Sequence, residues 1–243
     1  MTKSLISRGE VVEFTFEVKN LGAPDGADTQ HSGGTPGGAI EYAPGQRATM
    51  SRYAVVIETQ DGCRGEYVTH YVGTRSALGQ TLMLAPGLLG RDAEAREGLY
   101  DEMKRELRQY DHMGHGPIDI ALWDLAGKKH ATSVSKLLGG YRTRLPAYAS
   151  TYHGDENGGL DSPEAFADFA VECQEMGYTA FKIHGWGNAP IEREAANVLE
   201  VRRRVGDEMA LMLDPACEYE TFGDALHVGR ACDEANFFWY EDP

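Results

Sequence analysis

The chain has 243 residues, with 23 Lys+Arg against 38 Asp+Glu and a net charge of −15. That length suffices for one large domain or two small ones, and so acidic a balance argues against nucleic acid as a partner, because phosphate neutralisation needs a basic surface. No apolar run approaches the ~20 residues of a membrane span. The N-terminal MTKSLISRGEVVEF lacks the apolar stretch of a signal peptide, and Cys63, Cys173, Cys217 and Cys232 form no C-x-x-C pair, so the expectation is a cytoplasmic protein with reduced thiols and no membrane contact.

Val11 to Leu21 alternate and are β-rich, which predicts a strand. Gly22 to Gln46 follow, rich in Gly and Pro. A loop of that length is either disordered or functional, the functional version being an active-site lid, and His31 and Tyr42 within it are weak candidates for substrate contact. Arg52 to Val72 hold two β-rich runs around Asp61-Gly62, a dipeptide suited to the positive φ of a tight hairpin. From Ser76 to Leu138 the pattern becomes helical. Asp92 is a start signal, Leu99, Met103 and Leu107 recur at helical spacing, and Ile118, Ala121, Leu122 and Leu125 share one face of a later helix. Gly139-Gly140 ends the last helix. Strands followed by helices make this section an α+β domain.

At about Leu145 the rhythm changes. Strand-like runs at LPAYASTY, Tyr178–Trp186, Glu208–Tyr219 and Asn236–Pro243 alternate with helices opening at Ser162-Pro163, Pro190 and Thr221. A repeat of roughly 30 residues is the mark of βαβ units and a parallel sheet. Four strands and three helices make about half of an eight-stranded barrel, and an open four-stranded parallel sheet is the alternative.

Lys182 and His184 are two apart on a strand and so share a face. They lie near its C-terminal end, where parallel α/β folds bind ligands. Asp214 ends the next strand and Glu241 the one after. Carboxylates at adjacent strand ends supply the oxygens that a hard cation such as Mg²⁺ requires, and such a cation would admit an anionic substrate to an acidic protein.

At these positions the sequence resembles the enolase superfamily, and within it the mandelate racemase / muconate lactonizing enzyme group. The resemblance covers nearly the whole chain. Its most specific stretch is GHGPIDIALWDLAGKKHATSVSKLLGGYRTRLPAYAS, Gly114 to Ser150, which is similar to the family's link from capping domain to barrel. KIH stands where the family has its base motif, LDPACEY where it has the first metal ligand, and YEDP where it has the second. The resemblance implies an α+β capping domain over residues 1–143 and the first half, about four strands, of a parallel (β/α) TIM-type barrel over residues 144–243. It implies Mg²⁺ held by Asp214 and Glu241, and abstraction of a proton α to a carboxylate. His184 then matches the base, and Lys182 the residue that supports it or contacts the substrate carboxylate. An imidazole of reference pKa ~6.5 is neutral at working pH, whereas a lysine at ~10.4 would need depression. His184 departs from the commoner Lys. The family's third metal ligand lies on a fifth strand and its opposite acid/base groups on a sixth and seventh, beyond the residues of this chain; two carboxylates alone would leave Mg²⁺ with more waters and weaker binding.

The resemblance points to a small hydroxy or sugar acid as substrate and to a homo-oligomer. An acid-sugar dehydratase is the first reading, because such dehydration is frequent in the group. A racemase, epimerase or cycloisomerase using the same proton abstraction is the second, and a non-catalytic fragment requiring a complementary half barrel the third. Cys217, Glu218 and Trp186 are weaker candidates for the mouth of the site. His112, His115 and Asp124 are read as structural.

Overall fold

The computed structural model describes residues 4–19, 47–70, 74–151, 153–154, 159–186 and 189–243. The Gly-rich segment from Gly22 to Gln46, with His31 and Tyr42, lies outside the described residues. The described residues gather into two compact units, one built mainly from residues 4–18 and 49–143 and the other from 144–243.

The first unit holds a three-stranded sheet in the order β1 (Ile6–Lys19), β2 (Arg47–Thr59), β3 (Arg64–Val68). β2 and β3 pair antiparallel, with Glu58 opposite Arg64. Their turn is Asp61-Gly62, and Gly62 has φ of 80°, the left-handed conformation that glycine adopts without a Cβ penalty. β1 begins five residues before the predicted Val11. Ile6 is buried, its N–H donates to Arg91 O at 2.9 Å, and its carbonyl accepts from Gly90 N at 2.9 Å. A non-local partner fixes that start, so the polar run Ser7-Arg8-Gly9-Glu10 hides it from local pattern.

Four α-helices follow among the described residues: α1 (Thr74–Leu84), α2 (Arg96–Glu106), α3 (His115–Lys129) and the single turn α4 (Val134–Leu137), with a 3-10 turn at Ala85–Leu88. The start signal at Asp92 is displaced, because the N-cap of α2 is Ala95. The Asp92 carboxylate instead accepts from Ser4 N and Glu94 N, closing the turn ahead of the helix. On α3 the predicted face is the core face: Ile118, Ala121, Leu122 and Leu125 are all buried, and burying each large aliphatic side chain contributes roughly 2 kcal/mol relative to exposure. β3 presses on this helix at Gly65, where a Cβ would overlap the carbonyl of Ala121 and the backbone of Leu125.

The second unit is a parallel sheet in sequential order, β4 (Ala149–Ser150), β5 (Ala180–Ile183), β6 (Ala210–Leu213) and β7 (Trp239–Tyr240), joined by α5 (Pro163–Glu175), α6 (Ile191–Val205) and α7 (Phe222–Glu234). Sequential order without reversal is the winding of a barrel wall, whereas a doubly wound sheet reverses direction at a switch point. Ser162 caps α5, accepting from Ala165 N, with Pro163 at the first helical position. Thr221 caps α7 in the same way, accepting from Asp224 N. Phe181, Ile183, Leu211 and Leu213 pack with Phe166, Ala170, Val198, Val201 and Val228 in one apolar layer between sheet and helices. Strand alternation then turns Lys182, His184 and Asp214 to the other face. Among the described residues no helix is long and apolar enough to cross a membrane, and all four cysteines are free.

Candidate active site

The groups predicted from sequence come together at the C-terminal ends of β5, β6 and β7. The Lys182 ammonium donates to Asp214 Oδ2 at 2.7 Å and to Glu241 Oε1 at 3.3 Å. His184 Nε2 lies 2.8 Å from the same Asp214 oxygen. The other oxygen, Oδ1, accepts from Ala216 N at 3.0 Å. Lys182 and Asp214 are both buried. Tyr148 and Trp239, with rings edge-to-face at 5.7 Å, line the same side, and the ammonium lies 5.8 Å from the Tyr148 ring centre.

The electrostatics follow from this packing. Burial by itself would depress the Lys182 ammonium, but the Asp214 and Glu241 carboxylates outweigh it and hold the pKa above the ordinary value. Burial would raise Asp214, and the Lys182 hydrogen bond, the charge of His184 and the Ala216 N–H together bring it below the usual carboxylate value. Burial pushes His184 down; Asp214 pulls it back only in part and Lys182 adds to the depression. His184 Nδ1 is enclosed, with no hydrogen-bond partner among the described residues.

The backbone around His184 is fixed by neighbouring elements. Thr151, buried at the end of β4, accepts from His184 N at 2.9 Å through its hydroxyl and donates its own N–H to Lys182 O at 3.1 Å. Gly154 N donates to Gly185 O at 3.1 Å. Sequence reasoning passed over His153, whose ring meets that of His184 edge-on with centroids 5.0 Å apart. Burial lowers its pKa, and His184 lowers it further. The available signal was only its place just beyond the Ala149–Ser150 strand, three residues past Ser150 where His184 directly follows Ile183.

The weaker candidates divide. Trp186 is a packing aromatic: it is buried, its indole N–H donates to Leu160 O at 2.9 Å, and its ring meets Phe166 edge-on at 5.0 Å. Cys217 is exposed, its φ is 62°, and its N–H donates to Asp242 O at 2.6 Å. Glu218 is half-buried beside it. Asp124 accepts from Glu66 N and pairs with Lys128. His112 and His115 meet edge-on, with Tyr100 against His115.

Asp214 and Glu241 offer hard oxygen donors that already converge on one positive charge, the Lys182 ammonium. That donor set suits a hard divalent cation with water completing its shell. Among the described residues no cluster of three His, Cys, Asp or Glu side chains is placed to hold a metal ion.

Residues 37–139 match the family model "Mandelate racemase / muconate lactonizing enzyme, N-terminal domain", and residues 165–243 match "Enolase C-terminal domain-like". The chain belongs to the mandelate racemase / muconate lactonizing enzyme group of the enolase superfamily. It is similar to an arabinonate dehydratase of Saccharolobus solfataricus, with 29% identity over 80% of this chain and 52% of the relative. It is also similar to a 3,6-anhydro-alpha-L-galactonate cycloisomerase of Streptomyces coelicolor, with 31% identity over 78% of this chain and 53% of the relative. Among solved structures, D-glucarate dehydratase from Agrobacterium tumefaciens, complexed with magnesium, superposes with a TM-score of 0.75 at 27% identity, over 100% of this chain and 62% of that one. The chain thus spans about half the length of the curated relatives it matches.

Proposed function

We propose that this chain carries the cation-binding and proton-abstracting groups of an acid-sugar dehydratase, with Asp214 and Glu241 as ligands of Mg²⁺, His184 as the base and Lys182 as its electrostatic partner. The observation that carries the reading is the meeting of all four side chains, with Lys182 Nζ between the two carboxylates and His184 on the same Asp214 oxygen. The dehydratase names of two relatives and the magnesium of the glucarate dehydratase complex support it. So do strand ends that face the usual ligand side of a parallel βα sheet.

Bound Mg²⁺ would stabilise the negative charge that builds on a substrate carboxylate as its α-proton leaves. The remaining chemistry falls to this chain's residues. Lys182 is kept protonated by its two carboxylates, so it contributes charge and hydrogen bonds near a substrate carboxylate and does not serve as base. His184 is neutral at pH 7 because burial lowers it, which is the state a base needs. Nδ1 is enclosed, so the nitrogen that would receive the proton is Nε2, once Asp214 engages the cation instead of the imidazole. In dehydration the α-C–H bond breaks, its electron pair forms the C=C bond, and the β-C–O bond breaks. The hydroxyl takes up one proton, balancing the one His184 accepted, and departs as water, and the enol tautomerises to a 2-keto acid. The cycloisomerase relative shares the first step in this reading and differs in where the electron pair goes next.

The same reading takes residues 1–143 as the capping domain and 144–243 as barrel wall, in a cytoplasmic homo-oligomer that acts on a small hydroxylated acid. Its test is a panel of aldonic and aldaric acids with Mg²⁺ in D₂O, read for 2-keto acid and for deuterium at the α-carbon. Keto acid is the expected product; deuterium or epimer without keto acid gives the isomerase branch. In the complete enzyme His184→Ala is expected to abolish both signals while leaving Mg²⁺ binding largely intact, and unchanged exchange in that variant would refute the assignment of the base.

A further inference from the structure

We infer that Glu194 is a positioning residue for His184, holding the His184–Gly185–Trp186 turn by a buried carboxylate. Glu194 is 1% exposed, and a carboxylate so enclosed costs several kcal/mol unless strong hydrogen bonds compensate it. It lies in the first turns of α6, where the helix dipole favours negative charge. That helix opens at Pro190, which has no N–H to offer a side chain. Glu194 Oε1 accepts from Trp186 N at 2.8 Å, across to the turn that leaves β5. A Cβ at Gly185 would overlap Glu194 Oε2 and force the carboxylate to shift. Glu194's neighbour completes the grip, with the Arg193 guanidinium stacked 4.0 Å over the Trp186 ring.

Three successive residues of the turn are thus held from two sides. His184 N donates to Thr151 Oγ1, Gly185 O accepts from Gly154 N, and Trp186 N donates to Glu194. The first two bonds come from the β4 side, and the third ties the turn to α6, beside the stacking of Arg193 on Trp186. Losing it loosens the α6 side of the turn and, with it, the hold on the 2.8 Å contact of His184 Nε2 with Asp214. Glu194 is bonded to the turn at Trp186 N, two residues beyond His184. That the held imidazole is a base rests on the proposed function; that Glu194 holds it does not, and the test uses no substrate.

The test compares the 243-residue chain with Glu194→Gln, which keeps the shape and an acceptor oxygen, and Glu194→Leu, which fills the space without one. Two signals are read: hydrogen exchange at the Trp186 amide and the side-chain ¹⁵N–¹H resonances of His184. Glu194→Gln is expected to preserve both. Glu194→Leu is expected to speed Trp186 exchange by roughly tenfold or more and to shift the His184 resonances toward those of Asp214→Asn. A role confined to core packing would move the urea midpoint and leave the His184 signals in place, and that result overturns the inference, as does unchanged Trp186 protection. Should Glu194→Leu not fold, Gly185→Ala, which drives a methyl into the carboxylate, is expected to give the same His184 shift, and its absence overturns the inference equally. Failure of the base assignment appears separately, as α-proton exchange surviving in His184→Ala.

Discussion

Lys182 and Asp214 meet as a buried ion pair across neighbouring parallel strands, Nζ to Oδ2 at 2.7 Å. Their register explains the contact. Lys182 is paired with Met212 between β5 and β6, so Asp214 stands two residues further on, on the same face. Removing one partner of such a pair leaves the other charge enclosed and uncompensated. Lys182→Met is therefore expected to lower the unfolding free energy by about 3 kcal/mol, the low end of the range for buried pairs because His184 still donates to Asp214. Urea denaturation checks this, and a loss below about 1 kcal/mol would place the pair among weak surface bridges.

The histidine pair predicts an acid limb of stability. His184 and His153 are both held below the ordinary value of 6.5, chiefly by burial. A group depressed in the folded state contributes stability that is present above its unfolded pKa and lost as pH falls through the folded value. Unfolding free energy is thus expected to decline as pH drops below 6.5, each histidine adding at most about 1.4 kcal/mol per pH unit. Asp214, held below 3.8, extends the loss at lower pH. Lys182 has the opposite sign: raised above 10.5, it contributes stability that is complete below that value and is lost as pH rises through its folded pKa. His153→Phe keeps a ring against His184 and removes one proton site, and should flatten the slope between pH 6.5 and 5. An unchanged slope would contradict the assignment.

In the first unit Gly65 lies directly against α3. A methyl at Gly65 would overlap the Ala121 carbonyl and the Leu125 backbone, neither of which is the movable end of a side chain. Gly65→Ala is expected to destabilise by about 2 kcal/mol or more through overpacking, read as a drop in the thermal midpoint. A neutral result would mean that β3 and α3 are further apart than described.

Much of this was legible in the sequence because it is local. The alternation Phe181-Lys182-Ile183-His184 divides an apolar face from a polar one, and Ser162-Pro163 starts a helix by capping chemistry alone. The family resemblance made one site of Lys182, His184, Asp214 and Glu241, which spacing by itself only suggested. Illegible were residues whose role depends on a distant partner. Glu194 sits in a run of charges, Glu192-Arg193-Glu194, that reads as a solvated helix face; in the fold it is buried, with Trp186 N donating to it. Asp92 resembles an N-cap until Ser4 takes its carboxylate. His153 follows a strand of two residues, too short for a period to be read.

The most direct measurement is calorimetric titration of the chain with Mg²⁺, alongside Asp214→Asn, Glu241→Gln and, as a control in the first unit, the exposed Glu66→Gln. One site is expected in the unaltered chain and in Glu66→Gln, weakened at least tenfold by either substitution at the strand ends. No binding to the unaltered chain, or binding indifferent to Asp214 and Glu241, would contradict the account.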